Sequence, residues 1–311
     1  MRALLGMGAC ALALGLAPVA AQAPEKVLFI SNRGDGEMLN VYVMNSDGSD
    51  QKLVAKSNAI DIGPRFSPDG KQIAFSSANP AEQKVGIYVM SPDGSGRKLV
   101  SPATMQAFAP CWSGDGKRIL FTQLETAAGG PPKLNLVAMD ADGKNVQPLA
   151  GVRGMMATWS PDGKKIAYTS VPTGPDEKPL VYVMDADGKN SKALTKDVAM
   201  MAEWSPDGKQ IAFIGEGGGS QPDVFLMNAD GSQLRQLTKT PDAEIGVEWS
   251  ADGKLLRFTR VPQGGPEQLE KADIFSIGAD GKNEKRLTDA PGAELVGSSG
   301  IMLMMSRISG G

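Results

Sequence analysis

An all-β ring of repeated antiparallel sheets is the fold this sequence predicts, on three observations. The residues Phe66, Trp112, Trp159, Trp204 and Trp249 recur 46, 47, 45 and 45 residues apart, and all four tryptophans stand at this one position. Each is followed by Ser, then Pro-Asp-Gly (Gly-Asp-Gly at 114–116, Ala-Asp-Gly at 251–253), a lysine and an apolar run. A second Asp-Gly pair closes another short apolar run six times, at 47–48, 93–94, 142–143, 187–188, 230–231 and 280–281. A period of about 45 residues made of short strands and tight turns specifies a β-propeller. The expectation is six blades of four antiparallel strands, with the ring closed by pairing of the termini; seven blades is the alternative.

The first strand of each unit precedes the anchor. Ile62, Phe108, Met155, Met200 and Ile245 stand four residues before it, and Pro64, Pro110, Ala157, Ala202 and Val247 two before it. Spacing by two puts these on one face of a strand, so bulky, small and aromatic side chains recur along it. Pro-Asp-Gly then reverses the chain: proline presets φ, Asp bonds its own backbone, and Gly accepts the positive φ that follows.

Second strands follow at 73–76, 119–122, 166–169, 211–214 and 255–259, and β-branched and aromatic third strands at 41–44, 87–90, 134–139, 180–184, 224–227 and 274–277. After the second Asp-Gly hairpin a short fourth strand completes the unit, as at 193–195, 236–238 and 286–288. The segment 27–30 reads as a second-type strand with no first strand before it. The missing strand is expected at 294–298, which would join the two ends and hide the free sheet edges. Residues 301–306 then read as a spare second-type strand.

Residues 1–21 read as a signal peptide: Arg2, an apolar run over 3–17, Pro18, then the small residues Val19, Ala20 and Ala21. Cleavage is expected after Ala21, because cleavage after Ala23 would place Pro24 beside the cut. A lipid-modified Cys10 is disfavoured by its place inside the apolar run. The product, 22–311, is expected in the periplasm or secreted, as a monomer that does not span a membrane. Its formal charge moves from −3 to −4 with the loss of Arg2, the wrong sign for a nucleic-acid binder. One cysteine remains, Cys111, so no intramolecular disulfide is available.

Phe-Ser-Pro-Asp-Gly-Lys-Gln-Ile-Ala-Phe at 66–75 and Trp-Ser-Pro-Asp-Gly-Lys-Lys-Ile-Ala-Tyr at 159–168 resemble the repeats of TolB-type propellers. Ile-Tyr-Val-Met-Ser-Pro-Asp-Gly at 87–94 and Val-Tyr-Val-Met-Asp-Ala-Asp-Gly at 181–188 do so too, and the resemblance extends over 22–311. It implies a six-bladed periplasmic propeller. TolB carries a further α/β domain before its propeller, by which it works with an inner-membrane complex, and its propeller binds a peptidoglycan-associated lipoprotein. The repeats here begin close to the expected cleavage site, so only the propeller part of that role is implied.

The chain contains no histidine. That excludes Ser-His-Asp and Cys-His nucleophile activation, histidine bases and histidine-ligated metals. No catalytic motif, cofactor site or metal site is expected. The alternative to a binding protein is a hydrolase or lyase working with carboxylates alone on a saccharide or peptide at the channel mouth. Glu203 and Glu248, each one residue before a tryptophan, are its candidates, although equivalent repeat positions more often form cross-blade ion pairs.

The hairpins on one rim are nearly identical from unit to unit, whereas the connections on the other, 32–40, 77–86, 123–133, 171–179, 216–222 and 261–271, differ in length and content. Function concentrates in such loops on a rigid scaffold, so a protein, peptide or envelope partner is expected there. Five residues before the anchor, at the entry to each innermost strand, stand Asp61, Ala107, Gly154, Ala199, Glu244 and, by alignment, Glu294. Asp61, Glu244 and Glu294 are the expected binding residues: three acids among three small residues would leave a negative channel mouth that favours a cationic group.

Overall fold

The computed structural model describes residues 25–34, 38–79, 81–82, 84–126, 132–219, 221–264 and 266–301. The expected signal peptide, Cys10 and all but the first residue of the spare strand at 301–306 lie outside them. Among the described residues, 23 strands build an all-β ring of sheets.

The first sheet contains both ends of the described chain. It orders β23 (Glu294–Val296), β1 (Lys26–Ser31), β2 (Asn40–Asn45) and β3 (Lys52–Ala55). The antiparallel pair β1–β23 sets Phe29 opposite Val296, Ile30 opposite Leu295 and Ser31 opposite Glu294. The second sheet is β4 (Ile60–Phe66), β5 (Ile73–Asn79), β6 (Lys84–Met90) and β7 (Lys98–Leu99).

The third sheet has seven strands: β8 (Gln106–Trp112), β9 (Arg118–Glu125), β10 (Lys133–Asp140), β11 (Gln147–Trp159), β12 (Lys165–Ser170), β13 (Val181–Asp185) and β14 (Lys192–Ala193). Two four-stranded sheets complete the ring. One is β15 (Ala199–Trp204), β16 (Gln210–Glu216), β17 (Pro222–Asn228) and β18 (Arg235–Gln236); the other is β19 (Ala243–Trp249), β20 (Leu255–Val261), β21 (Asp273–Gly278) and β22 (Lys285–Arg286).

This corrects the expected count. The ring has four separate four-stranded blades, not six or seven, and two repeat units are merged in the seven-stranded sheet. The cause lies in β11, whose 13 residues run without a break from the outer edge of one unit into the inner strand of the next. Its first part pairs with β10 (Val137 opposite Pro148) and its last with β12 (Trp159 opposite Ile166). The other junctions carry Ser57-Asn58, Ser101-Pro102, Lys196-Asp197, Thr240-Pro241-Asp242 or Pro291-Gly292, which turn the chain, whereas Ala150-Gly151-Val152-Arg153 offers only one glycine. Helical structure was not expected but occurs as a short 3₁₀ helix, Pro266–Lys271. Ile301 lies in a helical turn with its side chain buried, not in a strand.

Local chemistry makes the hairpins alike. In the first Ser-Pro-Asp-Gly turn the Ser67 hydroxyl donates to Asp69 at 2.7 Å, and the Gln72 amide donates back to Ser67 at 2.9 Å. The Lys71 amide donates to Asp69, and Gly70 takes φ 69°. Equivalent bonds recur from Ser113, Ser160, Ser205 and Ser250.

Packing between sheets is equally regular. Trp112 and Trp249 donate their indole N–H to the backbone oxygens of Arg65 and Glu203 in other sheets, and stacked aromatic pairs join second to third strands, as Phe29–Tyr42, Phe75–Tyr88, Tyr168–Tyr182, Phe213–Phe225 and Phe258–Phe275. The largest core cluster draws on the innermost strands, with Ile62, Phe108, Met156, Met201, Val247 and Leu295.

Candidate functional site

The innermost strands bring two sets of equivalent residues to different levels of the ring. One, at the strand entries, contains Asp61, Ala107, Gly154, Ala199, Glu244 and Glu294. The three acids occupy equivalent places, and none exposes surface. Each holds an arginine of its own sheet. Asp61 accepts two bonds from Arg97, at 2.7 and 3.0 Å, and a third from the Ser57 hydroxyl. Glu244 accepts from Arg260 Nε at 2.7 Å and from Thr238 and Thr240. Glu294 accepts from Arg33 at 3.0 and 2.5 Å and from Ser31 at 2.7 Å.

In Glu244 and Glu294 burial opposes the charged form, and the arginines restore it in part. Burial pushes Glu244 up to about 7 against the lowering by Arg260, and pushes Glu294 upward against Arg33 and Ser31. A ligand arriving here meets arginines before carboxylates, since the Arg33 and Arg97 side chains remain 22% and 27% exposed.

Each arginine also lies over an aromatic pair. Arg33 Cζ is 5.3 and 5.1 Å from the Phe29 and Tyr42 ring centres, Arg97 Cζ 4.8 and 5.0 Å from Phe75 and Tyr88, and Arg260 Cζ 5.4 and 4.5 Å from Phe258 and Phe275. Sequence reading missed these partners because they come from different places in the repeat. Arg33 is four residues after its second-strand aromatic, Arg260 two after, and Arg97 nine after its third-strand aromatic. No period marks them; what signalled them was the acid alone.

The second level, one residue before the anchor, carries Arg65, Cys111, Thr158, Glu203, Glu248 and Ser298. Arg65 on β4 pairs with Glu203 on β15, from sheets that are not neighbours in the ring, so the pair crosses the channel. Ser298 stands 3.4 Å from Arg65. Burial works to lower the Arg65 pKa, and Glu203 overrides it and raises it; burial pushes Glu203 upward against Arg65.

Glu248 is 3.5 Å from Arg257, which is also held by Glu25 at 2.6 Å. The two glutamates considered for catalysis thus each face an arginine. Cys111 is half-buried, and burial pushes its thiol up to about 11, away from the lowered range of reactive cysteines.

The TolB beta propeller domain family matches residues 23–127 and 125–299. The chain belongs to that family. Among solved structures it is similar to TolB from Acinetobacter baumannii, with TM-score 0.71 and 23% identity over 87% of this chain and 65% of that one. The chain therefore spans just under two-thirds of that TolB. It is similar also to a putative TolB from Agrobacterium tumefaciens, with TM-score 0.69 and 20% identity over 88% and 92% of the two chains. An oligogalacturonate lyase from Vibrio parahaemolyticus shares the fold at TM-score 0.57 and 13% identity, over 85% and 74%. No curated protein sequence matches. Among the described residues no helix is long and apolar enough to cross a membrane.

Proposed function

We propose that this chain is a non-enzymatic periplasmic propeller that binds a protein, peptide or cell-envelope component through the rim carrying its variable loops. The observation that supports this reading most is the contrast between the rims. The hairpin rim consumes its polar groups in its own turns, by the same Ser–Asp bonds five times over. At the heads of the innermost strands, by contrast, the guanidinium groups of Arg33 and Arg260, beside the variable connections, and of Arg97, reaching in from a hairpin, lie over aromatic pairs of the second and third strands. In this reading Asp61, Glu244 and Glu294 serve the site indirectly, by fixing Arg97, Arg260 and Arg33 in place.

Membership of the TolB propeller family and the resemblance to two TolB structures support a protein partner. A carboxylate enzyme gains no support from Glu203 and Glu248, because each faces an arginine.

The test is capture from an envelope extract by immobilised 22–311. One variant has 171–179, 216–222 and 261–271 replaced by Gly-Ser, and another carries Lys71→Ala, Lys164→Ala and Lys209→Ala on the hairpin rim. A partner kept by the parent and the lysine variant but lost from the loop variant supports the proposal; equal retention by all three contradicts it.

A further inference from the structure

In three sheets an aromatic pair is covered by an arginine of the same sheet. The pair Tyr168–Tyr182 has the same geometry, with ring centres 5.5 Å apart at 29°, against 5.4 Å and 29° for Phe29–Tyr42. Among the described residues no arginine lies over it. Its residues at the three places that supply arginines elsewhere are Ser170 (the place of Arg260), Pro172 (that of Arg33) and Ser191 (that of Arg97).

The entry-level acid is absent as well: Gly154 stands there, and a Cβ at that position would run into the Tyr168 ring. A cavity of about 760 Å³ opens where the other sheets keep their guanidinium, lined by Tyr168, Tyr182, Ser170 and Ser191. Phe29, Phe75 and Phe258 are wholly buried beneath their arginines, whereas 5% of Tyr168 stays exposed. The Tyr168 hydroxyl is 2.7 Å from the Ser191 hydroxyl, which fixes the ring.

We propose that this cavity receives the guanidinium of an arginine presented by the partner, completing in trans the arrangement that the protein completes for itself elsewhere. A planar cation stacks on aromatic faces better than a compact ammonium does. Asp176 and Glu177 of the loop 171–179 line the same cavity but are matched there by basic side chains, so the open faces of the two rings, rather than net charge, select the guest. Glu177 is held ionised, first by the Thr173 amide and then by its hydroxyl. Arg153, Lys178 and Lys196 also line the cavity, and Lys178 is paired with Asp197 at 3.4 Å. The pair Phe213–Phe225 differs: Gly215, Gly217 and Leu234 hold the three places, and a Cβ at Gly217 would meet the Gln236 side chain, which is bonded to Asp223.

This inference rests on the variable-loop rim being the binding surface and specifies the chemistry it accepts. The protein has four tyrosines, and two of them, Tyr42 and Tyr88, already carry an internal arginine. Ring-labelled tyrosine NMR of 22–311, titrated with Nα-acetyl-arginine amide, therefore contains its own control. Shifts are expected at Tyr168 and Tyr182 and not at Tyr42 and Tyr88, with Nα-acetyl-lysine amide binding at least about fivefold more weakly. Ser191→Arg, or Ser170→Arg if the first variant fails to fold, fills the cavity from within and should abolish the shifts. Equal response to lysine, equal shifts on all four rings, or binding that survives in the filled variant overturns the inference. If a partner is still captured through the rim loops in that case, the failure touches only the arginine site and not the wider function.

Discussion

The pair Asp61–Arg97 offers a prediction whose direction depends on burial. The carboxylate exposes nothing and accepts both arginine nitrogens, while the arginine side chain is 27% exposed and keeps a 2.6 Å bond to the Ser77 hydroxyl and its place over Phe75 and Tyr88. Removing one member of a buried pair costs about 3–5 kcal/mol, because the other is left uncompensated. Arg97→Ala strands Asp61 wholly inside the protein, where among the described residues Ser57 remains as its side-chain donor, and should cost about 3–5 kcal/mol.

Asp61→Ala leaves a guanidinium that can turn toward water, and about 2–3 kcal/mol is expected after discounting for its exposure. The double variant has no stranded charge, so it should cost no more than Arg97→Ala alone, a coupling of about 2 kcal/mol or more. Equilibrium urea unfolding of 22–311 measures all three. Additive costs, or a larger loss for Asp61→Ala than for Arg97→Ala, would refute the argument that stranded charge decides the outcome.

Glu244 gives a pH test. Its folded pKa of about 7 lies above its ordinary 4.5, so its contribution to stability is fully present below about pH 4.5 and is lost as pH rises through about 7, a change on the order of 3 kcal/mol. Melting curves should therefore show the parent losing more stability than Glu244→Gln over that window, and parallel profiles would contradict this. Gly94 has φ 84°, and an added Cβ would strike the Val54 carbonyl of the preceding sheet, whereas Gly70, at φ 69°, has open space around it. Gly70→Ala should cost about 1 kcal/mol and Gly94→Ala clearly more, read from their melting temperatures. Deleting 290–311 removes β23 and frees the edge of β1, so the truncated protein should aggregate or unfold without cooperativity; a monomer melting like the parent would contradict this.

Much of the scaffold was legible because it repeats. The Trp-Ser-Pro-Asp-Gly turns and Asp-Gly hairpins announce strand ends through side chains that bond their own backbone, a local chemistry that needs no tertiary context. The merger through β11 was not legible, since the two units on either side carry ordinary repeat residues and only the weak turn signal at 150–153 separates them from the rest. At the channel entry, the equivalence of Asp61, Glu244 and Glu294 could be read from spacing, but their arginines could not. Those come from three different repeat positions and converge only in space. The crossing of Arg65 to Glu203 was out of reach for the same reason: 138 residues separate the two, and nothing in either repeat names the other.

The central claim is that the variable-loop rim is the binding surface, and hydrogen exchange of 22–311 with and without its captured partner tests it most directly. Protection is predicted in the described parts of 32–40, 77–86, 123–133, 171–179, 216–222 and 261–271, with the hairpins at 67–71, 113–117, 160–164, 205–209 and 250–254 unchanged. Protection concentrated in those hairpins, with the loops exchanging as in the free protein, would contradict it.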